Sequence, residues 1–257
     1  MAETHNFLKS ILLISGLLLL MPGVVCFATF TLVNQCSHAV WPGILSNAGA
    51  PQLSTTGFVL NSGDSVSIYV PSSWSGRLWG RTFCAQDPTT GIFNCATGDC
   101  GTGKVECGGN GAVPPASLVE FTLNGFNGLD FYDVSLVDGF NLPMLVVPQN
   151  GAGSGNCTHT GCNADLNASC PPELKVVSSS SGDCVACRSA CEAFGDPRYC
   201  CSGEHGTPDT CGPSAYSAFF KNACPMAYSY AYDDRSSTFT CASSDYVVTF
   251  CPSLSAR

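Results

Sequence analysis

The chain has 257 residues, room for one large domain or two small ones. Only 11% are charged against 45% hydrophobic, which excludes a disordered chain. A formal net charge of −9 excludes a nucleic-acid binder, which needs a cationic footprint, and makes anionic membranes poor partners.

Residues 1–28 read as a secretory signal peptide. Lys9 supplies the positive start, and Ile11 to Leu20 form a short apolar run. Pro22 and Gly23 break it, and the small residues Cys26 and Ala28 suit a cleavage site. The run is short for a membrane span, and no second long one follows, so no stable membrane insertion is expected. Loss of Cys26 with the leader leaves 17 of the 18 cysteines. In an oxidising compartment these pair, and the odd count predicts one leftover thiol. Zinc is disfavoured. Cys184-Val-Ala-Cys187 has no second pair to complete four ligands, and adjacent Cys200 and Cys201 suit disulfides better.

From Ala28 the chain reads as β-structure. Ala28 to Val33 alternates and is β-branched, and Ser65 to Val70 alternates strictly after the turn Asn61-Ser-Gly-Asp64. Gly76 to Phe83 is another strand. Residues 84–112 are Gly-rich with four cysteines, a stapled loop region. Strands return at Ser117–Leu123 and Leu129–Val137. Short strands with frequent turns point to a sandwich or barrel. Residues 150–224 hold ten cysteines. There Asp183 is placed to cap a short helix ending at Gly195. Pro213 is placed in the first turn of a second helix, running through Phe219 and Phe220 to Ala223 and stopped by Pro225. Tyr246 to Phe250 is a final strand.

Several stretches together resemble the thaumatin-like family. Gly91-Ile-Phe-Asn-Cys-Ala-Thr-Gly-Asp-Cys100, with Gly103 and Cys107, is similar to its signature. Thr31 to Trp41 resembles its first strand, and Gly139 to Met144, Tyr199-Cys-Cys201 and Cys224 to Tyr230 follow the family too. Met226 departs, because many relatives carry Asp after Cys-Pro. The resemblance spans residues 28–251. It implies a mainly β fold: a flattened antiparallel β-sandwich core with two disulfide-rich lobes and short helices in the larger lobe. Residues 29–257 would form the domain, with the core at about 29–82, 113–155 and 225–251. A small disulfide loop lobe would take about 83–112, and a larger Cys-rich lobe about 156–224.

Spacing alone leaves the cysteine pairing open. The resemblance implies Cys36 with Cys251, Cys84 with Cys95, Cys100 with Cys107, Cys157 with Cys241, and Cys162 with Cys224. It adds Cys170 with Cys187, Cys191 with Cys200, and Cys201 with Cys211, leaving Cys184 over.

The family also implies an acidic cleft. Arg77, Glu120, Asp133 and Asp138 match its residues, and of Asp233 and Asp234 the first is chosen for the last acid. Carboxylates accept hydrogen bonds from sugar hydroxyls, and Phe126, Phe131, Tyr132 and Phe140 offer nearby aromatic platforms. The implied function is a secreted plant defence protein, antifungal, binding β-1,3-glucan or fungal cell-wall polysaccharide. The alternatives are a weak endo-β-1,3-glucanase with Glu120 and Asp133 as catalytic pair, or an inhibitor of secreted hydrolases. No cofactor and no metal are expected, and a monomer is the default. His38, His159 and His205 are scattered with no nucleophile to serve, and no G-x-S-x-G elbow is present. Asn156-Cys-Thr158 and Asn167-Ala-Ser169 are glycosylation sequons. Early bridging of Cys157 makes Asn167 the better expected acceptor. Only five residues follow Pro252, with no long extension or lipid-anchor tail, so extracellular space is the expected location.

Overall fold

The structure, a computed structural model, describes residues 27–151, 154–179, 181–242 and 245–253. The expected leader lies outside these residues, except that Phe27 and Ala28 open the first strand. In chain order the strands are β1 (Phe27–Asn34), β2 (Trp41–Ser46), β3 (Ser65–Pro71), β4 (Ser75–Gln86), β5 (Phe93–Thr97), β6 (Leu118–Thr122) and β7 (Asp130–Ser135). They continue as β8 (Met144–Gln149), β9 (Thr160–Cys162), β10 (Lys175–Val177), β11 (Cys184–Cys187), β12 (Phe239–Cys241) and β13 (Asp245–Phe250).

Two sheets stack. One runs β3-β1-β13-β8-β9, the other β12-β7-β6-β4-β2, with β5 paired to β4. Pairing is antiparallel except between β1 and β13, which run parallel. Alternation along the strands decides which side chains meet between the sheets. Phe30 from β1 lies 4.3 Å from Phe121 of β6, centroid to centroid. Tyr246 of β13 lies 4.9 Å from Phe121 and 5.2 Å from Tyr132. The Tyr246 hydroxyl is satisfied at depth by donating to Asp130 Oδ2 at 3.0 Å.

The second sheet has a further buried patch on its outer face. Trp79 and Leu118 lie there under Cys100 and Cys107 of the Gly-rich segment and Ala116 just after it. Trp79 Nε1 donates to Gly98 O at 2.7 Å, and a Cβ at Gly43 would stand 2.4 Å from the indole, so only glycine fits. Arg81, wholly buried beside this patch, donates to Trp41 O, Pro42 O and Val105 O. Burial pulls its pKa down to about 10, against the upward pull of Asp99 and Glu106.

Disulfides join Cys36–Cys251, Cys84–Cys95, Cys100–Cys107 and Cys157–Cys241, together with Cys162–Cys224, Cys170–Cys187, Cys191–Cys200 and Cys201–Cys211. Cys184 is free and half-buried, its thiol turned to Ala186 O at 3.3 Å.

The helices are short: α1 (Ala190–Phe194), α2 (Pro197–Cys200), α3 (Ala215–Ala223) and α4 (Asp234–Ser237). The helix expected after Asp183 starts later. Cys184–Cys187 is drawn out as β11 against β10, so Ser189 caps α1 by accepting from Glu192 N at 3.2 Å. Gly195 closes it at φ 63°, as expected. Pro213 lies just before the cap of α3 rather than inside its first turn. Ser214 caps that helix, and Ser217 Oγ accepts from Ser214 N at 2.8 Å.

Candidate functional site

The central strands of the second sheet bring the site together. Register places Arg77 of β4 opposite Glu120 of β6, and Glu120 opposite Asp133 of β7. Their neighbours Leu78, Val119 and Val134 are wholly buried in the sandwich core. Alternation therefore sends the three polar side chains to the other face, in one row. Asp138 joins from the turn after β7. Gly139 makes that turn at φ 86°, where a Cβ would stand 2.7 Å from Cys187 O. These four residues line one groove of about 350 Å³, with Ser135, Tyr228 and Asp234.

Asp233 does not face this groove, contrary to the sequence expectation. Its Oδ2 takes the Lys221 ammonium at 2.8 Å and accepts from Ser229 N and Oγ at 3.0 and 2.9 Å. It anchors its loop. The next residue, Asp234, lines the groove and accepts from the Tyr228 hydroxyl at 2.8 Å. Nor do the expected aromatic platforms line it. Tyr132 and Phe140 are buried in the core, Phe126 is exposed, and Phe131 packs beside Gly125. Tyr228, held beside β7 by Leu136 N donating to Tyr228 O at 2.8 Å, is the aromatic wall. No pattern in the sequence marks that contact, because it depends on a bridge between Ser135 and Tyr228 far along the chain.

Electrostatics follow from crowding acids against a buried sheet face. Burial pushes the Asp133 carboxyl well above the usual range, and Glu120 and Asp234 push further the same way. Burial also raises Glu120, against the opposing pull of Arg77, whose Nε lies 3.8 Å from Glu120 Oε1. Beyond Asp138, burial pushes Glu192 up to about 7, against Arg188 and with Asp138. Among the described residues, Arg77 Nε and Asp133 Oδ2 are buried with no hydrogen-bond partner. One is a donor and the other belongs to a carboxyl group, both at the groove.

A pH dependence follows. The folded state binds the Asp133 proton more tightly than the unfolded chain, whose aspartates titrate near about 3.9. Stability from this group is therefore full below that value and is lost as pH rises through the raised folded pKa. The depressed carboxylates act in a separate, more acidic window. Asp196, held at about 2 by Arg198, loses its contribution only as pH falls below the usual range. Asp133→Asn is expected to melt higher than wild type at pH 7, with the gap closing near pH 4. A calorimetric series across that range checks it; a gap independent of pH would show that Asp133 ionises normally.

The thaumatin family model matches residues 34–252. Thaumatin-like protein 1 of Arabidopsis thaliana is 56% identical over 232 residues, covering 88% of this chain and 87% of that protein. A Prunus avium protein named glucan endo-1,3-beta-glucosidase is 54% identical over 226 residues, 88% of this chain and 91% of its own. Among solved structures, a GH family 64 laminaripentaose-producing beta-1,3-glucanase from Paenibacillus barengoltzii, complexed with laminarihexaose, has a TM-score of 0.53. It is 14% identical and covers 87% of this chain and 74% of that one, a likeness of fold. With a match over most of its length, and eight disulfides among the described residues around a β-sandwich, the chain belongs to the thaumatin family.

Proposed function

We propose that this is a secreted plant defence protein, antifungal in effect, that binds β-1,3-glucan through the groove of Arg77, Glu120, Asp133, Asp138 and Asp234. The observation that carries the reading is the pair of buried polar atoms without hydrogen-bond partners, Arg77 Nε and Asp133 Oδ2, set into one wall of the groove. A sugar hydroxyl both donates and accepts, so neighbouring hydroxyls of a glucan satisfy both kinds of atom. Leaving such atoms unmatched is costly, so a ligand that matches them is favoured over an apolar one. The disulfide set suits an oxidising compartment, in keeping with extracellular space.

Co-sedimentation with insoluble β-1,3-glucan tests the reading. Wild type is expected in the pellet. Glu120→Gln with Asp133→Asn is expected to weaken binding about 5- to 150-fold, the loss of two hydrogen bonds worth about 0.5–1.5 kcal/mol each. Wild type remaining in the supernatant, or a double variant binding equally well, would sink the proposal.

Hydrolysis by the same acids is a second reading, favoured by the state of Asp133. Burial beside Glu120 pushes its carboxyl well above the usual aspartate range, the direction a general acid requires. Reducing ends released from soluble β-1,3-glucan by wild type, and absent with Asp133→Asn, would establish it. Binding without release would confine the groove to recognition.

A further inference from the structure

The two sequons sit in opposite surroundings, and their amide groups face opposite ways. Asn167 uses both hydrogens of Nδ2: one goes to Asn141 O at 3.0 Å, the other to Val185 O at 3.2 Å. It thereby stitches the segment before β8 to β11, and its Oδ1 is buried. Asn156 is exposed, and its Oδ1 accepts from Thr240 N at 3.0 Å. Among the described residues its Nδ2 donates to nothing. Neither orientation is ambiguous. Two carbonyl partners demand an amide nitrogen, and a backbone N–H demands the oxygen.

From this geometry we infer that Asn156 is the N-glycosylation site of the mature protein and that Asn167 is kept bare as a structural donor. The inference rests on passage through the secretory route, part of the reading above. In the transfer, the C1–O bond of a lipid-pyrophosphate-linked oligosaccharide breaks as C1–Nδ2 forms. The lipid pyrophosphate leaves with the bonding electron pair, and Nδ2 gives up one proton. The product amide keeps a single N–H. At Asn156 that change is free, because Oδ1 still holds Thr240 N and Nδ2 faces away from that contact. At Asn167 it removes one of the two bonds and puts a sugar ring where a carbonyl now stands. A chain sugared there before folding could not close this contact. The structure thus reverses the preference for Asn167 drawn from the sequence. Cys157 within the Asn156 sequon does pair with Cys241, yet the bridge leaves the asparagine exposed.

The test uses the full chain expressed in a eukaryotic host that glycosylates secreted proteins. Site mapping after enzymatic deglycosylation in heavy-oxygen water reads each asparagine separately. Two variants remove a sequon without touching its asparagine: Thr158→Ala and Ser169→Ala. Thr158→Ala is expected to lose the entire glycan mass, and Ser169→Ala to match wild type. Secreted wild type is expected to carry sugar at Asn156 and none at Asn167. Secreted protein bare at Asn156, or carrying sugar at Asn167, overturns this assignment alone. A chain kept in the cytosol without glycan overturns the secretory reading with it.

Discussion

Replacing Arg81 with methionine is expected to destabilise the fold by about 3–5 kcal/mol, because three carbonyl groups lose a charged donor at once. The guanidinium reaches Trp41 O at 3.0 Å, Pro42 O at 3.3 Å and Val105 O at 2.6 Å. No carboxylate lies in direct contact among the described residues, and burial depresses its pKa to about 10 even against the upward pull of Asp99 and Glu106. A buried charge is expensive, so methionine does recover some desolvation. The lost hydrogen bonds outweigh that gain, since each to a charged group is worth about 1.5–3 kcal/mol net and the carbonyls are left with nothing to replace it. Val105 belongs to the loop closed by Cys100 and Cys107, so the arginine helps fasten that loop to the sheet, together with the loop's packing on Trp79. Gly57 shows how closely the parts approach: a Cβ there would stand 2.3 Å from Val105 O and 2.8 Å from Arg81 Nη2. Lysine should rescue only part of the loss, because one ammonium cannot reproduce the planar fork. Urea unfolding decides it. A lower midpoint at unchanged slope is expected, and a loss under about 1 kcal/mol would mean that solvent replaces the arginine, as at an ordinary exposed site.

Removing Cys36–Cys251 by double alanine substitution is expected to lose about 4–5 kcal/mol, the largest effect among the bridges. It spans 215 residues, whereas Cys201–Cys211 spans 10. The entropy denied to the unfolded chain grows with loop length, and the short bridge should contribute about 3 kcal/mol. Other bridges nested inside the long loop shorten its effective length, which is why the difference is modest. The folded state should survive the change. Gln35 N still donates to Phe250 O at 3.0 Å, and Cys251 N to Pro143 O at 2.9 Å. Urea unfolding of the two double variants tests the cause. An equal or greater loss at Cys201–Cys211 would show that strain or contacts in the folded state, not restriction of the unfolded chain, set the contributions.

How much of this is written legibly in the sequence depends on the range of the interaction. Alternation is local, so Ser65 to Val70 reads as a strand, and Glu120 between Val119 and Phe121 reads as an outward acid on an inward-packed strand. Matching Glu120 with Arg77 and Asp133 needed the family resemblance, because register is set by turns and by the packed face. The choice between Asp233 and Asp234 was not legible. The two are chemically equal neighbours, and Lys221 on α3 separates them by claiming the first. The start of α1 was missed for a similar reason: Asp183 is a good cap, but pairing with β10 keeps the following residues extended. Arg81 looked like one more charged residue in a strand. Its burial depends on a lobe folding over that face from elsewhere in the chain.

The parallel pairing of β1 with β13 also governs the order of events during synthesis. The strand that fills the space between β1 and β8 is made more than 200 residues after its N-terminal neighbour. Until it leaves the ribosome, β1 has only β3 on one side, and the edge of β8 meant for β13 has no partner. Both present open backbone edges, the kind that pair with other chains. A nascent chain of this protein must therefore wait, with its sheet divided, for β13 to arrive. Any pause or truncation before Asp245 leaves a half-built sheet exposed to aggregation.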